Sequence, residues 1–271
     1  MLKITTLALA VSAVPFASVL AADLGPRGPM PMPMPVSDEF ADGWYLRGDI
    51  GIGSTKAQRM EYLPNPRNNP NDFQIESFGM GDQSFVGFGV GYQATSWLRF
   101  DVTAEYRAKA AFDAWGSYTV ACTAAGGVCL DVYSGFINSV TVLANAYLDL
   151  GTWCGITPFV GAGIGTSRNT VTGFSDFGPQ TGGRGLGPTT SDFELAWALH
   201  AGMAYSVTRN VKLELAYRYL NMGSVTAPIN CIGGCNPDSY KFHNMDSHDV
   251  KLGMRWMFDT PVMAPVLIRK G

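Results

Sequence analysis

Val211-Lys-Leu-Glu-Leu-Ala-Tyr-Arg-Tyr-Leu220 places an apolar side chain at every second position and sets Lys212, Glu214, Ala216 and Arg218 between them. A repeat of two residues is that of a β-strand with two unlike faces. Trp97-Leu-Arg-Phe-Asp-Val-Thr-Ala-Glu-Tyr-Arg107 and Asp249-Val-Lys-Leu-Gly-Met-Arg-Trp-Met-Phe258 carry the same alternation, again with charges on the polar face. A soluble sandwich would turn the apolar face inward, but it gives no reason for Tyr, Trp and Phe to gather at the strand ends. Lipid outside and a charged lumen inside account for both features, which together are the signature of a transmembrane β-barrel.

The 271 residues include 32 glycines and are 12% aromatic and 15% charged, a β-rich composition on a length sufficient for one large domain. Met1-Leu-Lys3 is a short basic start, Ile4 to Leu20 is apolar, and Val19-Leu-Ala21 supplies the small residues a signal peptidase reads. Residues 1–21 therefore read as a cleaved signal peptide; the run is short for a bilayer-spanning helix of roughly 20 residues. The alternating prolines of Asp23-Leu-Gly-Pro-Arg-Gly-Pro-Met-Pro-Met-Pro-Met-Pro35 cannot pair in a sheet, so residues 22–42 read as an extended, Pro- and Met-rich periplasmic leader. A net charge of −3 leaves no basic footprint for nucleic acid.

From Trp44 onward eight segments read as strands: roughly 44–53, 83–92, 97–107, 138–150, 158–167, 193–206, 211–221 and 248–258. Short links near 93–96, 151–157 and 207–210 alternate with long ones over 54–82, 108–137, 168–192 and 222–247. Long structureless connections are uncommon in a globular domain, whereas outer-membrane barrels carry them on one side only. The expectation is an all-β fold: a closed antiparallel transmembrane β-barrel of about eight strands over residues 43–258, with short periplasmic turns, long extracellular loops and a periplasmic tail at 259–271. Closure is required because hydrocarbon leaves no partner for an open sheet edge.

The five cysteines suggest two short-loop disulfides, Cys122 with Cys129 and Cys231 with Cys235, each inside a long link. Cys154 then falls in a short turn as a free, half-buried thiol or a link between chains. No second cysteine pair or His-x-x-x-His stands at the spacing a zinc site needs, so no metal is expected.

Alternation sends Trp44, Leu46, Ile50, Ile52, Leu98, Phe100, Val102 and Tyr106 outward. It sends inward the bases Arg47, Arg99, Arg107, Lys212, Arg218, Lys251 and Arg255, and the acids Asp49, Asp101, Glu105, Asp149, Glu194, Glu214 and Asp249. Seven against seven predicts a lumen locked by ion pairs, with no wide pore of one sign. Barrel closure predicts Asp49 beside Arg255, and Arg218 beside Asp249. Trp44, Trp97, Trp153, Trp256 and Phe258 mark one membrane interface, and Tyr106, Tyr217 and Tyr219 the other.

Five segments in order carry a family resemblance: Gly43-Trp-Tyr-Leu-Arg-Gly-Asp-Ile-Gly51, the strand from Trp97 to Arg107, Asn145-Ala-Tyr-Leu-Asp-Leu-Gly151, Thr157-Pro-Phe-Val-Gly-Ala-Gly-Ile-Gly165 and the strand from His248 to Phe258. The chain resembles the small outer-membrane proteins of alphaproteobacteria, the Omp25 and RopB-like family. That resemblance implies an eight-stranded porin-like barrel in the outer membrane of a Gram-negative bacterium, with roles in envelope integrity and host contact. Its implied partners are outer-membrane lipid and lipopolysaccharide, with peptidoglycan and host surface molecules as further candidates. Relatives that bind haemin keep ligand capture by the loops open. The chain departs from the family pattern by continuing past the terminal aromatic Phe258.

No motif points to an enzyme. Ser247, His248 and Asp249 are consecutive, so alternation sends neighbours to opposite faces and they cannot assemble a triad. His200 falls on an inward face among small residues. His243, Met245 and Met222 could serve haem but read as exposed loop residues, and no cofactor is expected. Gly87-x-Gly89-x-Gly91 and Gly161-x-Gly163-x-Gly165 lie within strands with no helix after them, so they read as relief of crowding inside a narrow barrel. The leading functional expectation is a structural and surface-interaction barrel with a charge-plugged lumen; the alternatives are a narrow diffusion channel, and haemin or host-ligand binding by the loops.

Overall fold

The computed structural model describes residues 43–63, 73–119, 122, 127–232 and 238–258. The signal peptide, leader and tail read from the sequence lie outside these residues, as does Cys235. The described residues form eleven strands: β1 (Gly43–Leu63), β2 (Gln74–Met80), β3 (Gln83–Gln93), β4 (Leu98–Tyr118), β5 (Cys129–Asp149), β6 (Ile156–Phe177), β7 (Arg184–Leu186), β8 (Thr190–Ser206), β9 (Val211–Asn221), β10 (Val225–Ile232) and β11 (Asp238–Met257).

Eight of them close an antiparallel ring in the order β1, β3, β4, β5, β6, β8, β9 and β11, with β11 returning to β1. These are the eight strands legible in the sequence. Tight turns join them at one end: Ala94 N–H donates to the Leu98 carbonyl at 2.9 Å, Trp153 N–H to Ile156 at 2.9 Å, and Val207 N–H to Val211 at 3.0 Å. The second of these turns needs positive φ at two successive residues, met by Cys154 (φ 51) and Gly155 (φ 81). Cys154 is free and exposed there, not half-buried as its sequence context suggested. At the tip of a two-residue turn its side chain has no wall to pack against.

The long connections are not structureless. β1 runs ten residues past Gly53, β4 continues to Tyr118, and β11 starts at Asp238. The physical reason is an inversion of the two faces. At the level of the ring the outward residues are apolar and the inward ones charged; beyond it polar residues enter the outward face, as at Lys56, Gln58 and Arg168, beside an apolar row at its far edge, and the inward face turns apolar, as at Ala57, Phe112 and Phe242. The change of level coincides with register shifts between Arg107 and Ala110 on β4 and between Ser134 and Phe136 on β5. Bulges let a strand re-aim its faces without leaving the sheet.

These extensions form an upper tier. β2 takes over from β3 beside β4, while β7 and β10 replace β8 and β9 between β6 and β11. Successive strands of this tier pair all the way round except between β1 and β2, where among the described residues no ladder is present and Tyr62 stacks on Phe73 at 5.0 Å between ring centres.

Candidate functional site

The ring interior is filled by the side chains of every second residue, and the candidate site is what they build. Inward glycines make the space. A β-carbon on Gly53 would overlap the Asp249 carboxylate and the Arg107 guanidinium, one on Gly253 would overlap Asp49, and one on Gly161 the Tyr147 ring. Long charged side chains thus cross the lumen over positions that carry none of their own.

Nearest the upper tier, Asp249 accepts from Arg107 Nη1 and Nη2 at 3.0 and 2.8 Å, from Arg218 Nε at 2.8 Å and from Ser247 Oγ at 2.6 Å. Glu105 accepts from the same two arginines at 3.1 and 2.8 Å. One layer down, Arg47 donates to both oxygens of Asp49 at 2.9 Å and to Asp101 at 2.6 Å, and Lys251 approaches Asp49 at 3.5 Å. Tyr45 and Asn145 donate to Asp101, and His200 Nε2 lies 3.2 Å from Asn145 Oδ1. At the short-turn end Arg99 pairs with Asp149 at 3.1 Å, and Arg255 with Glu214 at 2.5 Å.

Thirteen charged groups are buried here: Arg47, Asp49, Arg99, Asp101, Glu105, Arg107, Asp149, Lys212, Glu214, Arg218, Asp249, Lys251 and Arg255. Two sequence expectations need correction. Glu194 is on the inward parity of β8 but half-buried, and makes no ion pair among the described residues; it sits six residues beyond His200, about 20 Å along the strand. Asp49 does not meet Arg255. The register sets Arg255 opposite Arg47 and Asp49 opposite Gly253, so Asp49 takes Lys251 and Arg47, and Arg255 takes Glu214. Arg218 and Asp249, opposite each other on β9 and β11, do pair, at 2.6 Å.

Above the charged layers the lumen turns apolar. Phe112, Phe174 and Phe242 are wholly buried and mutually stacked at 4.9 to 5.9 Å, with Ile137, Val171, Met222, Val225 and Met245 around them. Tyr133 and Tyr240 cap this cluster through a 2.9 Å hydroxyl contact. Sequence reading missed it, although Ala110, Phe112 and Ala114 keep a period of two within a stretch assigned to a loop. Met222 and Met245 belong to this core and His243 lies outside it against Glu61, so the three residues considered for haem do not face one space.

At the rim the carboxylates of Asp131 and Asp176 stand near the tyrosine pair. Burial pushes Asp131 up to about 6. Burial, then the proximity of Asp131 and Asp238, pushes Asp176 up to about 7. Beside Asp176 a surface groove of about 340 Å³ is lined by Phe177, Arg184, Leu186 and Ile232. Cys122 and Cys129 form a disulfide at a Cα separation of 5.5 Å beside this rim, and Cys231 is disulfide-bonded.

The outer wall carries the two aromatic levels. Trp44, Trp97, Trp153, Trp256 and Phe258 are exposed at the short-turn end, with Trp44 on Tyr92 at 5.4 Å. Tyr106 and Tyr217 are exposed at the other level; Tyr219 is half-buried, stacked on Trp197 at 5.3 Å and on His248. His248 faces outward and binds the Tyr217 hydroxyl at 2.6 Å, while Ser247 and Asp249 face the lumen, so the consecutive triad does not assemble.

The model of the outer membrane protein beta-barrel domain family matches residues 6–258, and the chain belongs to that family. An uncharacterized protein of Brucella abortus is 29% identical over 88% of this chain and 92% of its own length. The outer membrane protein PagN of Salmonella typhimurium is 28% identical over 45% of this chain and 51% of its own, and a putative adhesin of Rickettsia bellii is 25% identical over 79% and 88%. The protein is thus a barrel of the Gram-negative outer membrane.

Proposed function

We propose that this member of the outer-membrane β-barrel family is a non-conducting, non-enzymatic surface protein whose filled lumen braces the barrel while its extracellular tier makes the contacts. One observation carries the reading: the lumen is occupied in two unlike ways in series, by interlocked charges and then by stacked aromatics. An ion crossing would have to displace both. Opening the first layer strips paired charges, which costs several kcal/mol per pair, and opening the second exposes close-packed rings.

With the interior committed to structure, the surface that remains is the extracellular tier. Its outer face carries one exposed row across five strands, Trp115, Val132, Phe177, Arg184 and Ile232, each opposite the next in register. Exposed apolar groups grouped in this way mark interaction surfaces. The name of the Rickettsia relative, a putative adhesin, agrees with contact at the cell surface. Lys56, Lys109 and Arg168, exposed between the aromatic level and that row, suit the phosphates of lipopolysaccharide.

The test is adhesion by a non-adherent bacterium displaying the intact barrel, compared with one displaying Trp115→Ser with Phe177→Ser. The intact protein raises host-cell attachment and the double variant loses most of that gain. Equal attachment by both, at equal surface amounts, would overturn the surface reading.

A further inference from the structure

Arg99 and Arg255 differ from the other arginines of the lumen. Both are wholly buried at the periplasmic end, and both approach the same oxygen, Glu214 Oε1, at 3.4 and 2.5 Å, which brings their guanidinium groups side by side. Arg47 shares that carboxylate through its other oxygen at 3.3 Å. Elsewhere in the lumen Arg47, Arg107 and Arg218 donate to carboxylates and to Tyr147, Ser247 or Gln83. Here, among the described residues, Nη1 and Nη2 of Arg99 and Nε and Nη2 of Arg255 make no hydrogen bond, and neither does Glu214 Oε1, which Arg99 Nη2 and Arg255 Nε approach only as ion partners. These nitrogens carry N–H donors and no acceptor capacity.

The two side chains cannot swing away to find partners. Arg99 packs into the corner made by the rings of Tyr147 and Phe159, 4.0 and 4.7 Å from their centres, and its Nε is tied to Asp149 at 3.1 Å. Arg255 is held by Glu214 and by a 3.4 Å contact from Nη1 to Gln93 Oε1. Buried donors are almost always satisfied, and a group that satisfies several converging N–H donors at once must accept without donating. An anion accepts from all of these donors and brings no proton of its own.

We infer that Arg99 and Arg255 together hold a small monovalent inorganic anion of the halide class at the periplasmic end of the lumen. The packed interior excludes an anion with a bulky organic body. Glu214 stays close enough to fix both guanidiniums, and the ligand completes the edges it does not reach. Such a site makes the brace depend on the salt of the periplasm, and so adds a ligand to the structural role without adding a passage.

The experiment follows thermal unfolding of the purified full-length protein in detergent micelles at constant ionic strength, with sodium chloride exchanged for sodium gluconate. Chloride raises the midpoint with the logarithm of its concentration, by a few degrees at about ten times its dissociation constant. Arg255→Gln loses the chloride increment. Crystals grown with sodium bromide show an anomalous peak within hydrogen-bond reach of both arginines. Equal midpoints of the wild-type protein in the two salts, or bromide-grown crystals with no peak between Arg99 and Arg255, would overturn the inference even where the variant does not fold.

Discussion

Asp249→Asn keeps the shape of the most heavily hydrogen-bonded carboxylate among the described lumen residues and removes its charge. In the native protein this carboxylate meets Arg107 and Arg218 at 2.6 to 3.0 Å and takes the Ser247 hydroxyl at 2.6 Å. After substitution the two arginines share Glu105 alone, at 3.1 and 2.8 Å, and one buried positive charge is uncompensated. Removing one partner of a buried pair costs about 3–5 kcal/mol, and the retained amide oxygen places this substitution near about 3 kcal/mol, roughly a hundredfold in the folded-to-unfolded ratio. Reversible urea unfolding in lipid vesicles, followed by tryptophan fluorescence, reads this as a lower midpoint at unchanged slope. Asp249→Asn combined with Arg218→Gln should cost less than the sum of the single changes, because the second removes the charge the first leaves unpaired. A loss below about 1 kcal/mol for the single variant, the range of solvated surface pairs, would refute the reasoning, since water would then be screening the network.

In the extracellular tier, Phe112→Ala removes a ring packed against Phe78, Phe174 and Phe242; a loss of about 3–5 kcal/mol is expected, read as protease cleavage within β4 or β5 of protein still embedded by its lower ring. The rim acids give a pH dependence with a definite sign. Asp131 and Asp176 are raised in the folded tier, to about 6 and about 7, above the ordinary carboxylate value of about 4, so folding takes up protons. Their contribution is fully present below about pH 4 and is lost as pH rises through about 7. Amide exchange at the outer ends of β5 and β6, corrected for intrinsic rates, should therefore be slower at pH 5 than at pH 8, and Asp176→Asn should flatten the difference.

The lower ring was readable because lipid and lumen impose opposite demands on neighbouring residues. From Val211 to Leu220 and from Asp249 to Phe258, each residue declares its face by its chemistry, and the eight strands follow. The upper tier obeys the same period with the faces exchanged: Phe112 and Phe242 point in, Asp113 and Lys241 point out. Outside the membrane the outward demand is only for water, which serine, glycine and threonine meet as well as charge does, so the alternation weakens and reads as loop. Ion pairs were legible only as far as register was. Arg218 and Asp249 lie on β9 and β11, consecutive strands of the ring and only 31 positions apart, whereas the pairing of β1 with β11 joins residues about two hundred positions apart, and its register follows from the closed ring. That difference put Arg255 beside Asp49 in the sequence reading and beside Glu214 in the fold. The Tyr133–Tyr240 cap and the Phe112 stack depend on strands that meet only when the upper tier forms, and no local pattern announces them.

The filled lumen is tested most directly by the electrical conductance of the purified protein in a planar lipid bilayer. The paired charges below and the stacked rings above predict a bilayer that holds the barrel and shows no steady openings at any salt concentration that leaves it folded. Steady ohmic openings from the folded protein would contradict the filled lumen and with it the assignment of function to the extracellular tier.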